Sequence, residues 1–236
     1  DWDDEGIGDA CDEPVPMPED IDGAAIAVIF GAAVAFAGDF YGDGYGDYVI
    51  GSPGYSEPAA PPVKAIVGAG KAEIISGKDG SVIASIIGNA AKDAMGFAVA
   101  GNADFDKDGF ADVVVGAPNA TALHVGSVTV LYGGVGNRRH TFWGATKNTG
   151  FGSAVALGDV DGDDHADVTI GAPKDKNSAS SQNAIGSVTV FDGSTLQSRK
   201  RFYGQSNHAH AGTAVATGDV DNDGITDIIV GAPDEN

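Results

Sequence analysis

The chain of 236 residues has little of what marks a disulfide-stabilised, helical or membrane-spanning protein. Its one cysteine, Cys11, cannot form a disulfide within the chain, so the cysteine content identifies no compartment. No apolar run approaches the roughly 18 residues of a membrane span. No segment shows convincing helical periodicity over about ten residues, which argues against an α-helical fold.

Basic residues are also scarce. The chain has 13 Lys and Arg against 34 Asp and Glu, a formal net charge of −21. A surface with this charge repels nucleic acid and anionic membranes, so both are excluded as partners. Because so many like charges repel one another unless cations bind, we expect metal binding and folding to be coupled. The apolar fraction of 42% and the 36 Gly still favour a core built from strands and tight turns.

One acidic pattern is abundant: Asp-x-Asp-x-Asp-Gly-x-x-Asp, or a close relative, occurs four times. Each copy lies in the same frame, which runs from a Gly through a short apolar stretch, the acidic loop and a β-branched stretch to Gly-Ala-Pro or Gly-Ser-Pro. The first acids of the loops, Asp39, Asp104, Asp159 and Asp219, are 65, 55 and 60 residues apart. This period indicates stacked equivalent units, each a four-stranded sheet.

Within each period we predict one strand before the acidic loop, one after it, a third at Gly-x-Val-x-Val and a fourth after a Gly turn. The predicted strands include 70–75, 126–131, 138–143, 153–157, 168–170, 186–191 and 199–203. The fourth period ends after Pro233, so we expect an unpaired sheet edge near Val230. The apolar segment 26–30 is a further strand candidate.

Alternating carboxylates ahead of a Gly are typical of a Ca²⁺ loop. Calcium binds about six to eight oxygen atoms, and acids at loop positions 1, 3 and 5 converge because the chain curls around the ion. Position 7 supplies a backbone carbonyl, so its side chain can vary, and position 9 closes the loop with a last acid. The predicted ligands of the second to fourth loops are Asp104, Asp106, Asp108, Phe110, Asp112, Asp159, Asp161, Asp163, His165, Asp167, Asp219, Asp221, Asp223, Ile225 and Asp227.

Two loops depart from the pattern. In the first loop Tyr41 replaces the acid of position 3, so we expect weaker calcium binding there. The remaining predicted ligands of that loop are Asp39, Asp43, Tyr45 and Asp47. In the third loop Asp164 replaces the turn glycine, and Asp accepts a left-handed backbone less readily than Gly does. Polar turns with incidental acids would explain one such loop, but four copies in one frame favour metal sites.

The N-terminal segment 1–20 reads as an extended acidic arm, and 21–236 as the repeat domain. Prolines after Asp12 block both a helix and a central strand. The spacing of the candidate metal ligands also fits an EF-hand loop, although the prolines argue against its second helix. These ligands are Asp1, Asp3, Glu5, Ile7, Asp9 and Asp12. A solvated acidic tail without metal is the alternative.

The repeats resemble the FG-GAP repeats of the integrin alpha-subunit β-propeller. The resemblance rests on Phe30-Gly31, Phe151-Gly152, Gly-Asp-Val-Asp at 158–161 and 218–221, and the four Gly-Ala/Ser-Pro motifs. It implies an all-β, β-propeller-like array of about four FG-GAP blades with calcium loops on one face. The family's usual propeller has more blades than this. The arm resembles a thrombospondin type 3 calcium repeat, whose cysteine forms a disulfide for which Cys11 has no partner within the chain.

No nucleophile elbow, P-loop or dinucleotide fingerprint is present, so the sequence predicts no enzyme activity. The candidate histidines are His208 and His210, near the fourth repeat, and His140. Strand-like spacing could point two histidines to one side, but no third zinc ligand is identifiable. We expect Trp143 and Tyr203 to be core residues of their blades. The basic clusters 138–139 and 199–201 read as solvated strand starts or as partners of the acidic surface.

We therefore interpret the chain as a non-catalytic, extracellular or cell-surface module that binds calcium, since millimolar calcium is found outside cells. One hypothesis is a structural or adhesion module whose copies join head to tail through strand complementation. The alternative is a ligand-binding propeller fragment of a larger cell-surface adhesin, and a third possibility is the accessory domain of a secreted enzyme. The expected partner is a protein: another copy of the chain, or a cell-surface or matrix protein.

Overall fold

The computed structural model describes residues 31–58, 65–121, 123–134, 136–176 and 184–235. Within them the chain forms fourteen β-strands and no helix, so no helix there could cross a membrane. The acidic arm at 1–20, its predicted metal ligands and the strand candidate 26–30 lie outside the described residues.

The strands form three four-stranded antiparallel sheets and one two-stranded sheet, and each sheet is one blade. Blade 1 contains β1 (Ala33–Gly38), β2 (Asp47–Ser52), β3 (Lys71–Ile75) and β4 (Val82–Ile87). Blade 2 contains β5 (Ala98–Ala103), β6 (Asp112–Ala117), β7 (Ser127–Leu131) and β8 (Arg139–Trp143). Blade 3 contains β9 (Ala154–Gly158), β10 (Asp167–Ala172), β11 (Ser187–Phe191) and β12 (Ser198–Tyr203). Blade 4 contains β13 (Ala214–Gly218) and β14 (Asp227–Gly231).

The first strands of successive blades pack beside one another, β1 on β5, β5 on β9, and β9 on β13. This is the arrangement of neighbouring blades in a propeller, with each sheet running outward from its first strand in chain order. The prediction of an all-β, propeller-like array is therefore confirmed. The predicted second strand of the third period was too short, because β10 continues through the Gly and Ala of the Gly-Ala-Pro motif before the proline ends it.

Glycines of the repeated frame meet one another at two levels. Inside a blade, the N–H of the first glycine donates to the carbonyl of the Gly-Ala-Pro glycine at 3.0 Å: Gly96 to Gly116, Gly152 to Gly171, and Gly212 to Gly231. Between blades, a Cβ on one glycine would collide with the carbonyl oxygen of the next blade's glycine: Gly51 with Gly96, Gly116 with Gly152, and Gly171 with Gly212. Because no side chain fits there, these glycines set the spacing between blades.

The hydrophobic core lies between adjacent blades. One buried cluster joins blades 1 and 2 and includes Val49, Val113 and Val115. A second cluster joins blades 2 and 3 and includes Val114 and Val128. Strand β6 contributes to both clusters because successive side chains of a strand point to opposite faces. Its unbroken apolar sequence follows from this burial on both sides.

Trp143 does not lie in the blade core, so that expectation is wrong: its side chain is 53% exposed. The preceding residue, Phe142, is buried instead. Both residues belong to β8, the outer strand of blade 2, and the alternation of side chains allows just one of the two to face the core. Tyr203, which ends the outer strand of blade 3, is half-buried.

The two end blades expose apolar side chains. On β1 these are Val34 and Phe36, and on β14 they are Ile229 and Val230. Among the described residues, β13 is the single hydrogen-bonded neighbour of β14. The unpaired edge predicted near Val230 is therefore present in the described part of the chain.

The glycine contacts between blades can be tested with alanine. Gly171→Ala should destabilise the protein by about 1–3 kcal/mol, because its Cβ presses on the Gly212 carbonyl in the next blade. Gly218→Ala is the matched control, since a Cβ on this β13 glycine meets nothing within 4 Å. Urea denaturation of both variants, in excess chelator, measures the difference. Equal stabilities would contradict a spacing role for Gly171.

Candidate metal centres

Each acidic loop connects the first strand of a blade to the second. In blade 2, β5 ends at Ala103 and β6 begins at Asp112, the acid of position 9. The other blades begin their second strands at the same loop position, with Asp47, Asp167 and Asp227. Because equivalent connections lie at the same end of neighbouring blades, the four loops share one end of the array.

The same three hydrogen bonds shape every loop. In the second loop, the N–H groups of Asp108 and Gly109 donate to the two oxygens of Asp104, at 3.1 Å and 2.9 Å. The N–H of Phe110 donates to Asp108 Oδ1 at 3.1 Å. The first, third and fourth loops repeat this set. The backbone therefore curls around the first acid, as the calcium-loop reading expects.

Position 6 has a left-handed backbone in all four loops. Its φ angle is +88° at Gly44, +91° at Gly109 and +88° at Gly224. Asp164, which replaces the glycine in the third loop, adopts the same region with φ +65°. The expected sharp turn is thus present in each loop, and in the third it is made by one of the few non-glycine residue types that enter this region readily.

Carboxylates converge in the second, third and fourth loops. Acid sets with ligand atoms within 4.8 Å of one another are Asp104, Asp106 and Asp108; Asp159, Asp161 and Asp167; and Asp219, Asp221 and Asp227. Of the predicted acid ligands in these loops, Asp112 and Asp223 fall outside the sets, and Asp163 belongs to another set, described below. Among the described residues the first loop forms no such set, which is consistent with Tyr41 in place of an acid.

Sequence reasoning missed Asp192, which lies in the β11–β12 turn. It comes together with Asp161 and Asp163 of the third loop, with ligand atoms within 4.8 Å. The antiparallel pairing of β10 with β11 places this turn beside the loop. Asp192 stands outside the acidic pattern, so no signal in the loop sequence points to it.

The side chain at position 7 has packing contacts of its own. A Cβ on Gly42 in the first loop would collide with the ring of Phe110 from the second loop. A Cβ on Gly162 in the third loop would touch Ile225 of the fourth, at 3.7 Å. In these two pairs of loops, the position-7 side chain of one loop therefore covers position 4 of the preceding loop. Side-chain packing at position 7 therefore connects neighbouring loops, whereas the sequence suggested that this side chain could vary freely.

In blades 1, 2 and 3 the acid of position 9 is buried and bridges the loop to the turn after the third strand. Asp112 Oδ2 accepts from the N–H of Phe105 at 2.6 Å, and Oδ1 accepts from the N–H of Gly133 in the β7–β8 turn at 2.7 Å. Burial raises the pKa of Asp112 to about 7, although these hydrogen bonds act in the opposite direction. Burial also raises the pKa of Asp47 and of Asp167, which make equivalent bonds.

The second loop fits a hard cation. Asp106 Oδ1 is buried and has no hydrogen-bond partner among the described residues. A buried oxygen without a donor is costly, and a cation bound between Asp104, Asp106 and Asp108 would satisfy it. The side chains available are carboxylates, which suit calcium and other hard divalent ions.

A basic side chain also reaches the loop in each four-stranded blade. The pairs are Lys78 with Asp43 at 3.4 Å, Arg138 with Asp106 at 2.7 Å, and Arg199 with Asp161. All three cations come from the segment that joins the third strand to the fourth, or from the start of the fourth. The expectation that the basic clusters pair with the acidic surface is confirmed for Arg138 and Arg199.

The sequence is similar to the FG-GAP repeat family and to known integrin alpha proteins. The profile of the FG-GAP repeat matches residues 96–131, 151–191 and 211–236, which belong to the second, third and fourth repeats. The chain is 35% identical to integrin alpha-V of Gallus gallus over 148 residues, 59% of this chain and 14% of that protein. It is 32% identical to integrin alpha-5 of Xenopus laevis over 136 residues, 55% of this chain and 13% of that protein.

A second kind of relative is similar over the same extent. The chain is 33% identical to phosphatidylinositol-glycan-specific phospholipase D of Rattus norvegicus over 159 residues, 59% of this chain and 18% of that protein. The chain thus spans less than a fifth of the length of each of these relatives. These comparisons support an FG-GAP-like and integrin alpha-like fold for the repeats.

The ligand count of the first loop can be tested directly. Tyr41→Asp should raise its calcium affinity by about tenfold or more, because a charge-assisted ligand is gained at position 3. Asp163→Ala is the counterpart, and it should empty the third loop. Calcium titrations followed by NMR at the Gly44 and Asp164 amides resolve the two sites. Tighter binding by the first loop than by the third in the unmodified protein would contradict the ligand count.

Proposed function

We propose that the chain is a calcium-stabilised, non-catalytic FG-GAP propeller module that recognises proteins outside the cell or at its surface. The observation that carries the proposal is the set of acidic loops at one end of the array, each shaped by the same hydrogen bonds and three of them with converging carboxylates. The FG-GAP matches and the integrin alpha relatives support an extracellular, ligand-binding, propeller-like module.

Calcium is the proposed ion because of the ligands and the charge. Three or four carboxylates and a position-7 carbonyl supply most of the oxygens that calcium takes, whereas Mg²⁺ keeps several waters and demands a stricter geometry. The proposed ligands are those at positions 1, 3, 5, 7 and 9. A dication in each loop would offset part of the net charge of −21.

The N-terminal arm is proposed as an additional calcium segment. Its acids from Asp1 to Asp12 have calcium-loop spacing. A bound ion would stiffen the link between the arm and the first blade. We place the boundary between arm and repeat domain at residue 20.

Calcium removal tests the proposed function. Chelator should lower the melting temperature sharply, because the acids of each loop then repel one another. Added calcium should raise the melting temperature again, since it increases the free energy of unfolding by about 2.7 kcal/mol per site at a hundredfold excess over Kd. Magnesium at equal concentration serves as the ion control. A variant with Asn at Asp104, Asp159 and Asp219 should lose most of the calcium effect. A melting curve that chelator leaves unchanged would show that these loops are not structural calcium sites.

Self-association is a second candidate function, favoured by the exposed end blades. Val34 and Phe36 cover one end of the array, and Ile229 and Val230 the other. Gly231 occupies in blade 4 the place that Gly171 occupies in blade 3, where the next blade docks. A second copy could dock its first blade there, or add a strand to the free edge of β14, and such head-to-tail contacts propagate.

Sedimentation in millimolar calcium separates the two candidates. Head-to-tail assembly should give species larger than a monomer. Ile229→Arg should dissociate them into monomers, because it places a charge in the contact. Leu123→Arg is the matched control, since Leu123 is equally apolar and is exposed away from the end blades. A monodisperse monomer at high concentration would exclude self-assembly and leave the ligand-binding module.

The similarity to phosphatidylinositol-glycan-specific phospholipase D keeps a third reading open. In that reading the chain is the accessory domain of a secreted enzyme whose catalytic residues lie in another domain. It leaves the calcium loops and their stabilising role unchanged.

A further inference from the structure

Three basic side chains approach three acidic loops from different sequence positions. Lys78 belongs to the β3–β4 turn, Arg138 directly precedes β8, and Arg199 lies within β12. Each nevertheless ends against an acid of the loop in its own blade. A side chain that the fold itself requires would recur at the same position in every blade. These three do not, and what they share is that each places a positive charge against its acidic loop.

The acid that each cation contacts is a proposed calcium ligand. Arg138 and Arg199 take the position-3 acids, Asp106 and Asp161. The first loop has Tyr41 at position 3, and there Lys78 pairs with the acid of position 5 instead. In each of the three loops the cation therefore pairs with a carboxylate that is a proposed calcium ligand, even where that carboxylate is at a different loop position.

The pairing at the second loop competes with a metal ion. Arg138 Nη1 lies 2.7 Å from Asp106 Oδ2 and 3.9 Å from Asp108 Oδ2, so it faces two ligands of one proposed site. A dication drawn to the same carboxylates meets this positive charge. The guanidinium also lies 4.7 Å from the centre of the Tyr132 ring, and its side chain is 60% exposed, so it is held near the loop yet free to withdraw into water.

Among the described residues, the fourth loop has no such cation. Within the described residues, no Lys or Arg pairs with Asp219, Asp221, Asp223 or Asp227. Blade 4 has two strands there, and the basic partners of the other blades all come from the third and fourth strands and their connection. The fourth loop is therefore an internal reference with the same backbone hydrogen bonds and, in the described part of the chain, no tethered charge.

We propose that Arg138 and Arg199, and Lys78 in the first loop, are tethered counter-cations of the calcium loops. Each stabilises the metal-free loop and lowers its calcium affinity, because calcium must displace it from a ligand carboxylate. This inference rests on the proposed calcium function. It assigns regulation of affinity to residues outside the acidic pattern.

Site-resolved titration of the full chain tests the proposal. Calcium is added while NMR follows the amides of Gly109 in the second loop and Gly224 in the fourth. Arg138→Gln should tighten calcium binding at Gly109 by about two- to fivefold, the range of a partly exposed ion pair, with no change at Gly224. The same substitution should lower the melting temperature in chelator. Opposite effects on affinity and metal-free stability are the signature of a competitor.

Arg139→Gln is the control, because it removes the same charge from the adjacent residue, and Arg139 makes no ion pair with the described acids of the loop. If both variants increase the calcium affinity at Gly109 equally, the change in net charge alone explains the effect and the proposal is overturned. Weaker binding by Arg138→Gln would show that Arg138 shapes the site, which also overturns it. Absence of any response at both Gly109 and Gly224 in the unmodified protein would instead refute the calcium function itself, and this inference with it.

Discussion

In each of the three four-stranded blades, a buried carboxylate at the first residue of the second strand holds loop and sheet together. In blade 2, Asp112 accepts hydrogen bonds from Phe105 at the start of the acidic loop and from Gly133 in the turn after the third strand. Loss of either bond would leave a buried polar group unpaired, at a cost of about 1–3 kcal/mol. One side chain thus fixes the loop, places the β7–β8 turn beside it, and brings Arg138 within reach of Asp106.

Close backbone contacts join neighbouring blades. Backbone meets backbone at the glycine pairs, such as Gly116 with Gly152, and these contacts allow the apolar faces of adjacent sheets to close on the shared core clusters. At the loop end, Phe110 extends from one loop over Gly42 of the preceding one. The acidic loops and the blade packing are therefore parts of one contact. A metal ion bound in a loop should thus also affect the stability of the adjacent blade.

The four-stranded repeat and the shape of the loops followed from the sequence because both are local. Alternating apolar residues predict strands such as β7, and the turn residue at position 6 predicts the curl, even with Asp164 in place of glycine. What could not be predicted depends on contacts distant along the chain. Asp192 and Arg138 reach the loops through strand pairing, and the exposure of Trp143 depends on which face of β8 meets the next blade. The arm at 1–20 stays a prediction.

Anomalous diffraction from crystals grown in calcium tests whether the acidic loops bind the ion, since it locates each ion without reference to stability. We expect one peak inside each of the second, third and fourth loops, at the carboxylates led by Asp104, Asp159 and Asp219, and a weaker peak or none beside Tyr41 in the first. A first loop that is filled while the third is empty, or no peak in any loop, would contradict this expectation.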